Sequence, residues 1–298
     1  KEDIRNMSKI LITGGAGFIG SHLCDEFIKN NEVIVMDNFL HGNKIGIEGV
    51  KLIECDILDL TAVLDVSKEC DAIIHLASGV GIDHTSKYAT NVMEVDFFGT
   101  FNVCTAAKEN NIPHILYSST SSVYGDNKTI SPKSGYAQTK RNSEVYLENF
   151  SKETGIMSTV VRFFNVYGSR QDARMVVPKF RNWMKDNEDV IIHDDGEQTR
   201  DFTYIKDVTK CIRKIFECTN LDTYNLFEIS RGKQETVNYL AKNMIKLLKS
   251  KSSLIYEPTP EILQQMQVRE RQGDSGPLYE KIKYRPKTNL IDGLKEML

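Results

Sequence analysis

Three glycines, Gly15, Gly17 and Gly20, sit directly between the apolar run Ile10-Leu11-Ile12 and an amphipathic segment. A second apolar run, Val33-Ile34-Val35-Met36, follows and ends on Asp37. This order predicts strand, tight turn, helix and second strand, the opening unit of a doubly wound α/β sheet that holds a dinucleotide. Gly15 and Gly17 let the backbone turn and approach a pyrophosphate, and Gly20 lets the helix pack on the strand. The helix N-terminus offers its unsatisfied N–H groups and partial positive charge to phosphate. Asp37 is placed to accept hydrogen bonds from an adenosine ribose. A carboxylate there repels a 2′-phosphate, and Asn38, Phe39 and Leu40 bring no arginine to offset it, so NAD is expected over NADP.

At 298 residues the chain is long enough for a complete domain of this kind with a smaller appendage. A formal charge of −3 gives no reason to expect nucleic acid or a membrane surface as partner. No apolar run reaches the length of a membrane span, and no basic-then-apolar leader opens the sequence. Residues ahead of Met7 read as an upstream extension. Cys24, Cys55, Cys70, Cys104, Cys211 and Cys218 show no CxxC pairing. They read as reduced thiols of a cytoplasmic protein, and no metal site is expected. His75, inside Ile73-Ile74-His75-Leu76-Ala77, reads as a packed strand residue.

Strand and helix patterns alternate through about the first 165 residues, which implies a parallel sheet with helices on both faces. Strands are expected at Lys9–Thr13, Glu32–Asp37, Lys51–Glu54, Ala72–Leu76, His114–Ser118 and Ser158–Phe163. Helices are expected near Gly17–Lys29, Leu58–Val66, Asn91–Glu109 and Ala137–Thr154. The Asn91–Glu109 segment is apolar nearly all round, which points to burial on more than one side and hence to a subunit interface. Beyond residue 170 the alternation is irregular, with short strands near Val190–His193, Asp201–Tyr204 and Thr223–Leu226. Helices there are expected near Val177–Lys185, Ile205–Glu217 and Thr236–Leu248. The expected organisation is a dinucleotide-binding domain over residues 7–170 and a smaller α/β substrate-binding region over 171–298, partly interleaved with it.

Tyr136 and Lys140 stand at i and i+4, on one face of a helix that begins there. A cationic lysine stabilises a phenolate, so Tyr136 can act as a base near neutral pH. The pair follows the fifth strand, whose C-terminal end belongs to the ligand crevice of such a sheet. That strand ends in the hydroxyl-rich run Tyr117-Ser118-Ser119-Thr120-Ser121-Ser122-Val123-Tyr124-Gly125, expected to hydrogen-bond a substrate.

With these segments the chain resembles the extended short-chain dehydrogenases/reductases of the NAD-dependent sugar-nucleotide epimerase/dehydratase family. The resemblance runs from about Ser8 to the C-terminus. It is carried by Thr13–Gly20, Asp37-Asn38, Cys55-Asp56-Ile57, His75-Leu76-Ala77, Gly99-Thr100-Phe101-Asn102, Ser118–Gly125, Tyr136–Lys140 and Arg162–Gly168. Further on it continues through Gln198–Phe202, Asp207-Val208, Tyr224-Asn225, Arg271–Asp274 and Tyr284-Arg285-Pro286.

The resemblance implies that Gly14, Gly17, Phe18, Ile19, Asp37, Asn38 and Ser118 contact the cofactor. It further implies that Asp56 and Ile57 bracket the adenine and that Leu76 and Ala77 line the pyrophosphate and ribose. Tyr136 and Lys140 would hold the nicotinamide ribose and run the proton transfer, with Thr120 as the catalytic hydroxyl. Thr120, Ser121 and Ser122 would face the sugar, while Asn165, Arg200 and Arg271 would hold the nucleotide diphosphate. Guanidinium forks suit phosphate oxygens. A homodimer through the Asn91–Glu109 helix and the Tyr136-bearing helix is also implied.

Dehydratases of this family carry an acid pair directly after the catalytic threonine, and decarboxylating relatives tend to have glutamate there. Ser121 and Ser122 occupy those positions and lack a useful pKa for that work. The expected activity is a nucleotide-sugar 4-epimerase: transient oxidation at C4, rotation of the 4-keto sugar and re-reduction. The alternative is a C4 dehydrogenase or 4-ketoreductase that uses half of that cycle. A non-catalytic NAD-binding protein has no need of the Tyr136–Lys140 pair.

The chain departs from the family pattern in several places. Ser78 stands where relatives usually have alanine and Asp96 where they usually have asparagine, which would set a carboxylate near the cofactor phosphates. The loop Gly79–Asp83 matches no subtype. Three substrate-side stretches are short: between Tyr124 and Tyr136, between Arg170 and Val177, and between Asp274 and Tyr284.

Overall fold

The first strand, β1 (Lys9–Thr13), is flanked by β2 (Glu32–Asp37) on one side and β4 (Ala72–His75) on the other, both parallel to it. Leu11 and Ile12 are fully buried, because a parallel sheet covered on both faces leaves no strand side for water. The structure, a computed structural model, describes residues 8–40, 49–79, 92–125 and 128–298. The other strands are β3 (Lys51–Glu54), β5 (His114–Thr120), β6 (Met157–Phe163), β7 (Val166–Tyr167), β8 (Val190–His193), β9 (Thr199–Arg200) and β10 (Thr203–Tyr204), then β11 (Tyr224–Ile229), β12 (Glu235–Thr236) and β13 (Leu254–Glu257).

A seven-stranded sheet runs in the order β11-β6-β5-β4-β1-β2-β3. Strand order reverses between β1 and β4, the point at which such sheets open a crevice beyond their strand C-termini. Thr13 and His75 are register partners there.

Helices α1 (Phe18–Phe27), α2 (Leu60–Val66), α3 (Gly99–Glu109) and α4 (Gly135–Thr154) alternate with these strands, as the periodicity predicts. The helix expected over Asn91–Glu109 is not uniform: Glu94–Phe98 forms a π-helical turn ahead of α3. Asn91 lies outside the described residues, as do Met7 and Val80–Asp83. In α3, Val103, Ala106 and Ala107 are buried, while Phe101 and, ahead of the helix, Met93 and Phe98 remain about half exposed. The apolar pattern therefore contains a core face and a second face open to solvent.

The chain forms two compact units. The first comprises residues up to Ser119, Thr139–Val161 and Phe216–Leu226, and holds the core around Leu11, Ile34, Ile73, Ile115 and Val160. The second comprises Thr120–Gln138, Arg162–Ile215 and Phe227–Leu298. Its short strands pair as β7 with β10, β8 with β13 and β9 with β12.

Candidate active site

Gly14 adopts φ +68°, and a Cβ there would lie 2.6 Å from the Ala77 amide nitrogen. Only glycine permits both the turn and the approach of Leu76–Ala77. A Cβ at Gly20 would lie 2.4 Å from the Gly14 carbonyl oxygen, so α1 sits against the turn as expected. Gly15 has a packing role beside the expected one. Its Cβ would strike the Val35 side chain at 2.7 Å, so packing onto β2 demands glycine there. Gly17 is the N-cap of α1 and supplies no side chain to its first turn, which holds no acidic residue. Phe18 and Ile19 open the helix. An uncapped N-terminus behind a glycine turn fits a pyrophosphate.

Asp37 accepts the Ala16 N–H at 2.9 Å through Oδ2 and the Phe39 N–H at 2.8 Å through Oδ1. Each carboxylate oxygen keeps a lone pair for a ribose hydroxyl. Asn38 Nδ2 donates to Asp56 Oδ2 at 3.2 Å, joining two expected adenosine contacts at the exposed rim. Ile57 is buried against Gly99, where a Cβ would meet its side chain at 2.8 Å, and Asn102 Nδ2 donates to its carbonyl. The residues of this crevice therefore fit NAD.

Behind the crevice runs a hydroxyl–imidazole chain. Thr100 Oγ1 donates to the Asp96 carbonyl at 2.6 Å, so it must accept from His75 Nε2 at 3.1 Å. His75 Nδ1 then accepts from the Thr13 hydroxyl at 2.7 Å. The imidazole is neutral, and burial pushes its pKa down to about 3. His75 is thus the packed strand residue its pattern predicts, and among the described residues no cluster of His, Cys, Asp or Glu could hold a metal ion. The six cysteines are free.

Asp96 is fully buried on the π-helical turn. Its Oδ1 accepts the Gly79 N–H at 3.0 Å, while Oδ2 has no hydrogen-bond partner among the described residues. Burial raises its pKa, against the pull of Lys140, of the nearby Ser78 hydroxyl and of the Gly79 N–H. The two residues that depart from the family pattern, Ser78 and Asp96, are therefore neighbours.

Tyr136 and Lys140 lie one turn apart near the start of α4. Lys140 is almost fully buried; Nζ donates to the Ser118 carbonyl at 3.0 Å and lies 4.9 Å from the Tyr117 ring centre. Glu144, one turn further on, is a buried carboxylate that sequence reasoning did not single out. It accepts from Ser119 Oγ at 2.5 Å and Arg141 Nη1 at 2.9 Å. This narrows the expectation that the hydroxyl-rich run Tyr117–Gly125 hydrogen-bonds a substrate. Tyr117 is buried beside Lys140 and Ser119 is committed to Glu144, because residues two apart on a strand share a face and this one is turned to α4.

Thr120 ends β5, and its Oγ1 accepts the Ser122 N–H at 3.1 Å as Ser121–Val123 turn away. Ser121 is buried, whereas Thr120 and Ser122 are half-buried. Arg271 Nη1 donates to Ser122 Oγ at 3.3 Å. Arg200 is bound through Nη1 to the Thr199 carbonyl at 2.7 Å, and Asn165 sits at φ +31° with Oδ1 buried and unpartnered among the described residues.

Glu228 is a second carboxylate that the sequence patterns left unmarked. It accepts from the Tyr124 hydroxyl, from the Asp274 N–H at 2.6 Å and pairs with Lys128 at 3.1 Å. Arg162 Nη1 donates to the same Tyr124 oxygen at 2.6 Å. Burial, then Glu228, push the Tyr124 hydroxyl up to about 12. Tyr124 and Arg162 lie in recognisable segments, but nothing in the local sequence around Glu228 announces its partners.

Residues 10–230 match the family model described as the NAD dependent epimerase/dehydratase family. A UDP-glucose 4-epimerase from Thermotoga maritima, solved with UDP-glucose, superposes with a TM-score of 0.91 at 30% identity, over 96% of each chain. A UDP-glucuronic acid decarboxylase of Arabidopsis thaliana is 31% identical, covering 97% of this chain and 87% of its own. A UDP-N-acetyl-alpha-D-glucosaminuronate decarboxylase of Bacillus cytotoxicus is 29% identical, covering 97% and 96%.

Proposed function

The chain belongs to the NAD-dependent epimerase/dehydratase family, and from that membership we propose that it is a nucleotide-sugar 4-epimerase. The observation that carries this reading is the turn after Thr120, built from Ser121 and Ser122 with no carboxyl group of its own. Expelling a 6-hydroxyl calls for an acid and a base at that turn, whereas oxidising and re-reducing C4 needs one proton shuttle. The similarity to decarboxylases leaves the family shared and the reaction to be decided by this chemistry.

Bound NAD supplies the hydride acceptor for C4 oxidation and the donor for the return. Tyr136 takes the proton of the C4 hydroxyl and gives it back when the alcohol re-forms. Lys140, fixed by the Ser118 carbonyl and the Tyr117 ring, holds positive charge one helical turn from that phenol. Thr120 Oγ1 already accepts the Ser122 N–H, and its own hydrogen remains to be donated to the C4 oxygen. Arg200 and Arg271 hold the diphosphate while the 4-keto sugar turns over, and Asn165 contributes beside them. Binding of the cofactor falls to Gly14, Gly17, Phe18, Ile19, Asp37, Asn38, Asp56, Ile57, Leu76, Ala77 and Ser118. The exposed Met93, Phe98 and Phe101, with Val145 on α4, are the apolar face through which the chain pairs as a homodimer.

The test is incubation of purified protein with UDP-, dTDP- and GDP-sugars, following product stereochemistry by NMR and NADH by absorbance. A C4 epimer without lasting NADH supports the proposal. NADH accumulation without an epimer, or NADH oxidation only by a 4-keto sugar, replaces it with a dehydrogenase or 4-ketoreductase. Release of carbon dioxide from a UDP-uronic acid replaces it with a decarboxylase.

Among the described residues no helix is long and apolar enough to cross a membrane.

A further inference from the structure

Two of the three short substrate-side stretches border one cleft in the second unit. Lys128, from the stretch between Tyr124 and Tyr136, and Asp274-Ser275-Gly276, from the stretch before Tyr284, line a cleft of about 1010 Å³. Its walls carry six cations, Lys128, Arg231, Lys233, Arg269, Arg285 and Lys287, against two acids, Glu270 and Asp274. A cleft lined by one sign of charge focuses its field and concentrates counter-ions.

The floor is rigid. The buried Asp201 carboxylate accepts the N–H groups of Arg231 at 3.0 Å, Gly232 at 2.9 Å and Gly273 at 3.2 Å. Gln272 Nε2 donates to the Gly232 carbonyl at 2.8 Å, tying the same two segments together again. A Cβ at Gly273 would lie 2.4 Å from the Ser230 side chain, so the close approach depends on glycine.

Three of the cations are committed. Lys128 pairs with Glu228 at 3.1 Å, Arg231 with Glu235 at 2.7 Å and Arg269 with Asp195 at 2.7 Å. Lys233, Arg285 and Lys287 have no carboxylate partner among the described residues, and Arg285 lies 5.6 Å from the Tyr279 ring centre. Arg231 Nε is buried with its hydrogen unsatisfied among the described residues. An unmet guanidinium donor in a wall with surplus cations calls for an anionic acceptor. Asp274, whose Oδ1 caps the Gly276 N–H at 2.8 Å, offsets only part of that surplus. Arg271, the diphosphate anchor, is not part of these walls; its guanidinium reaches Ser122.

We propose that this cleft is an anion site separate from the Arg271 anchor, and that it takes a ligand bearing two or more phosphate groups. The volume admits a ligand of nucleotide size, and Lys233, Lys287 and the Arg285 fork are left to meet phosphate oxygens. The proposal stands whichever sugar reaction the enzyme performs. The phosphates belong either to an independent ligand or to a second copy of the nucleotide substrate.

The test is calorimetric titration of NAD-loaded protein with inorganic tripolyphosphate, in the presence of one equivalent of UDP. One binding event is expected to persist under UDP. It should weaken at least tenfold in the triple variant Lys233→Ala, Arg285→Ala, Lys287→Ala, and at least threefold in Lys233→Glu, with the melting temperature unchanged. A control triple of exposed lysines in the first unit, Lys68→Ala, Lys108→Ala, Lys152→Ala, should bind as the parent does. A second equivalent of UDP that competes with tripolyphosphate assigns the site to another substrate molecule; loss of all tripolyphosphate binding at the first equivalent overturns the separate site. No binding to the parent protein, or equal weakening in the control, also overturns it.

Discussion

The Thr13 hydroxyl donates to Nδ1 of His75 at 2.7 Å, and with Thr100 on the opposite nitrogen it locks a neutral imidazole behind the glycine turn. Both groups are buried, so charging this ring requires either loss of the hydrogen-bond chain or unfolding. Burial likewise pushes His114 down to about 4. Histidines held neutral bind fewer protons folded than unfolded once the pH drops below 6.5. Their stabilisation is therefore complete above pH 6.5 and is lost as pH falls toward 4 and then 3. Asp201, raised by burial to about 6, acts in the opposite direction over part of that range. The melting temperature of the parent should fall between pH 7 and pH 5, and the slope should be shallower in His75→Asn. Equal slopes would remove His75 from the explanation.

Asp96 carries the opposite sign. Its carboxyl is raised by burial, so the folded state favours the protonated form and loses stability as pH climbs above the ordinary carboxylate range. Asp96→Asn keeps the acceptor for Gly79 N–H and removes the charge. The variant should melt higher than the parent at pH 8, by about 2–4 °C for each kcal/mol of relief. The gain should shrink at pH 4.5. A gain that is the same at both pH values, or a loss at pH 8, contradicts this account; NAD affinity measured alongside shows whether the charge also bears on the cofactor.

Tyr136→Phe removes the proposed proton shuttle and leaves the ring. Turnover is expected to drop by about 10²–10⁴, while NAD binding, followed by fluorescence titration, changes little. Retained turnover would exclude Tyr136 as the base. Loss of NAD binding together with activity would indicate a structural role instead.

Arg271→Ala should act mainly through substrate affinity. Losing a charge-assisted contact to phosphate costs about 1.5–3 kcal/mol, which corresponds to KM rising about 10- to 100-fold. kcat should stay within a few-fold of the parent, and Arg271→Lys should recover only part of the loss. A fall in kcat with KM unchanged would move Arg271 out of the anchor.

Phe98 and Phe101 are 55% and 45% exposed, and Val145 on α4 is 41% exposed. A charge in that face cannot be buried without a partner. Phe101→Glu should convert a dimer to a monomer, read by light scattering on a sizing column, with the fold intact by circular dichroism. A parent protein that is monomeric at micromolar concentration would exclude this face as a stable dimer interface.

Most of the fold was legible because parallel, doubly covered strands and amphipathic helices leave strong periodic signals. The β1–α1–β2 unit and the Val190–His193 strand lie where their patterns predict. Local sequence also marks Tyr136 and Lys140, since i and i+4 define a helical face without reference to anything distant. The π-helical turn at Glu94–Phe98 was not legible, because its apolar residues satisfy an ordinary helical pattern equally well.

The amino-acid order alone determined the glycine turn, the acid that closes β2 and the tyrosine–lysine pair, all of which act over a few residues of backbone. Only tertiary structure decided what Glu144, Glu228 and Asp201 do. Glu144 lies 25 residues from its partner Ser119, Glu228 lies 104 from Tyr124, and Asp201 lies 72 from Gly273. A buried carboxylate must find donors wherever the fold places them, and neither helical nor strand periodicity records which distant segment will supply them.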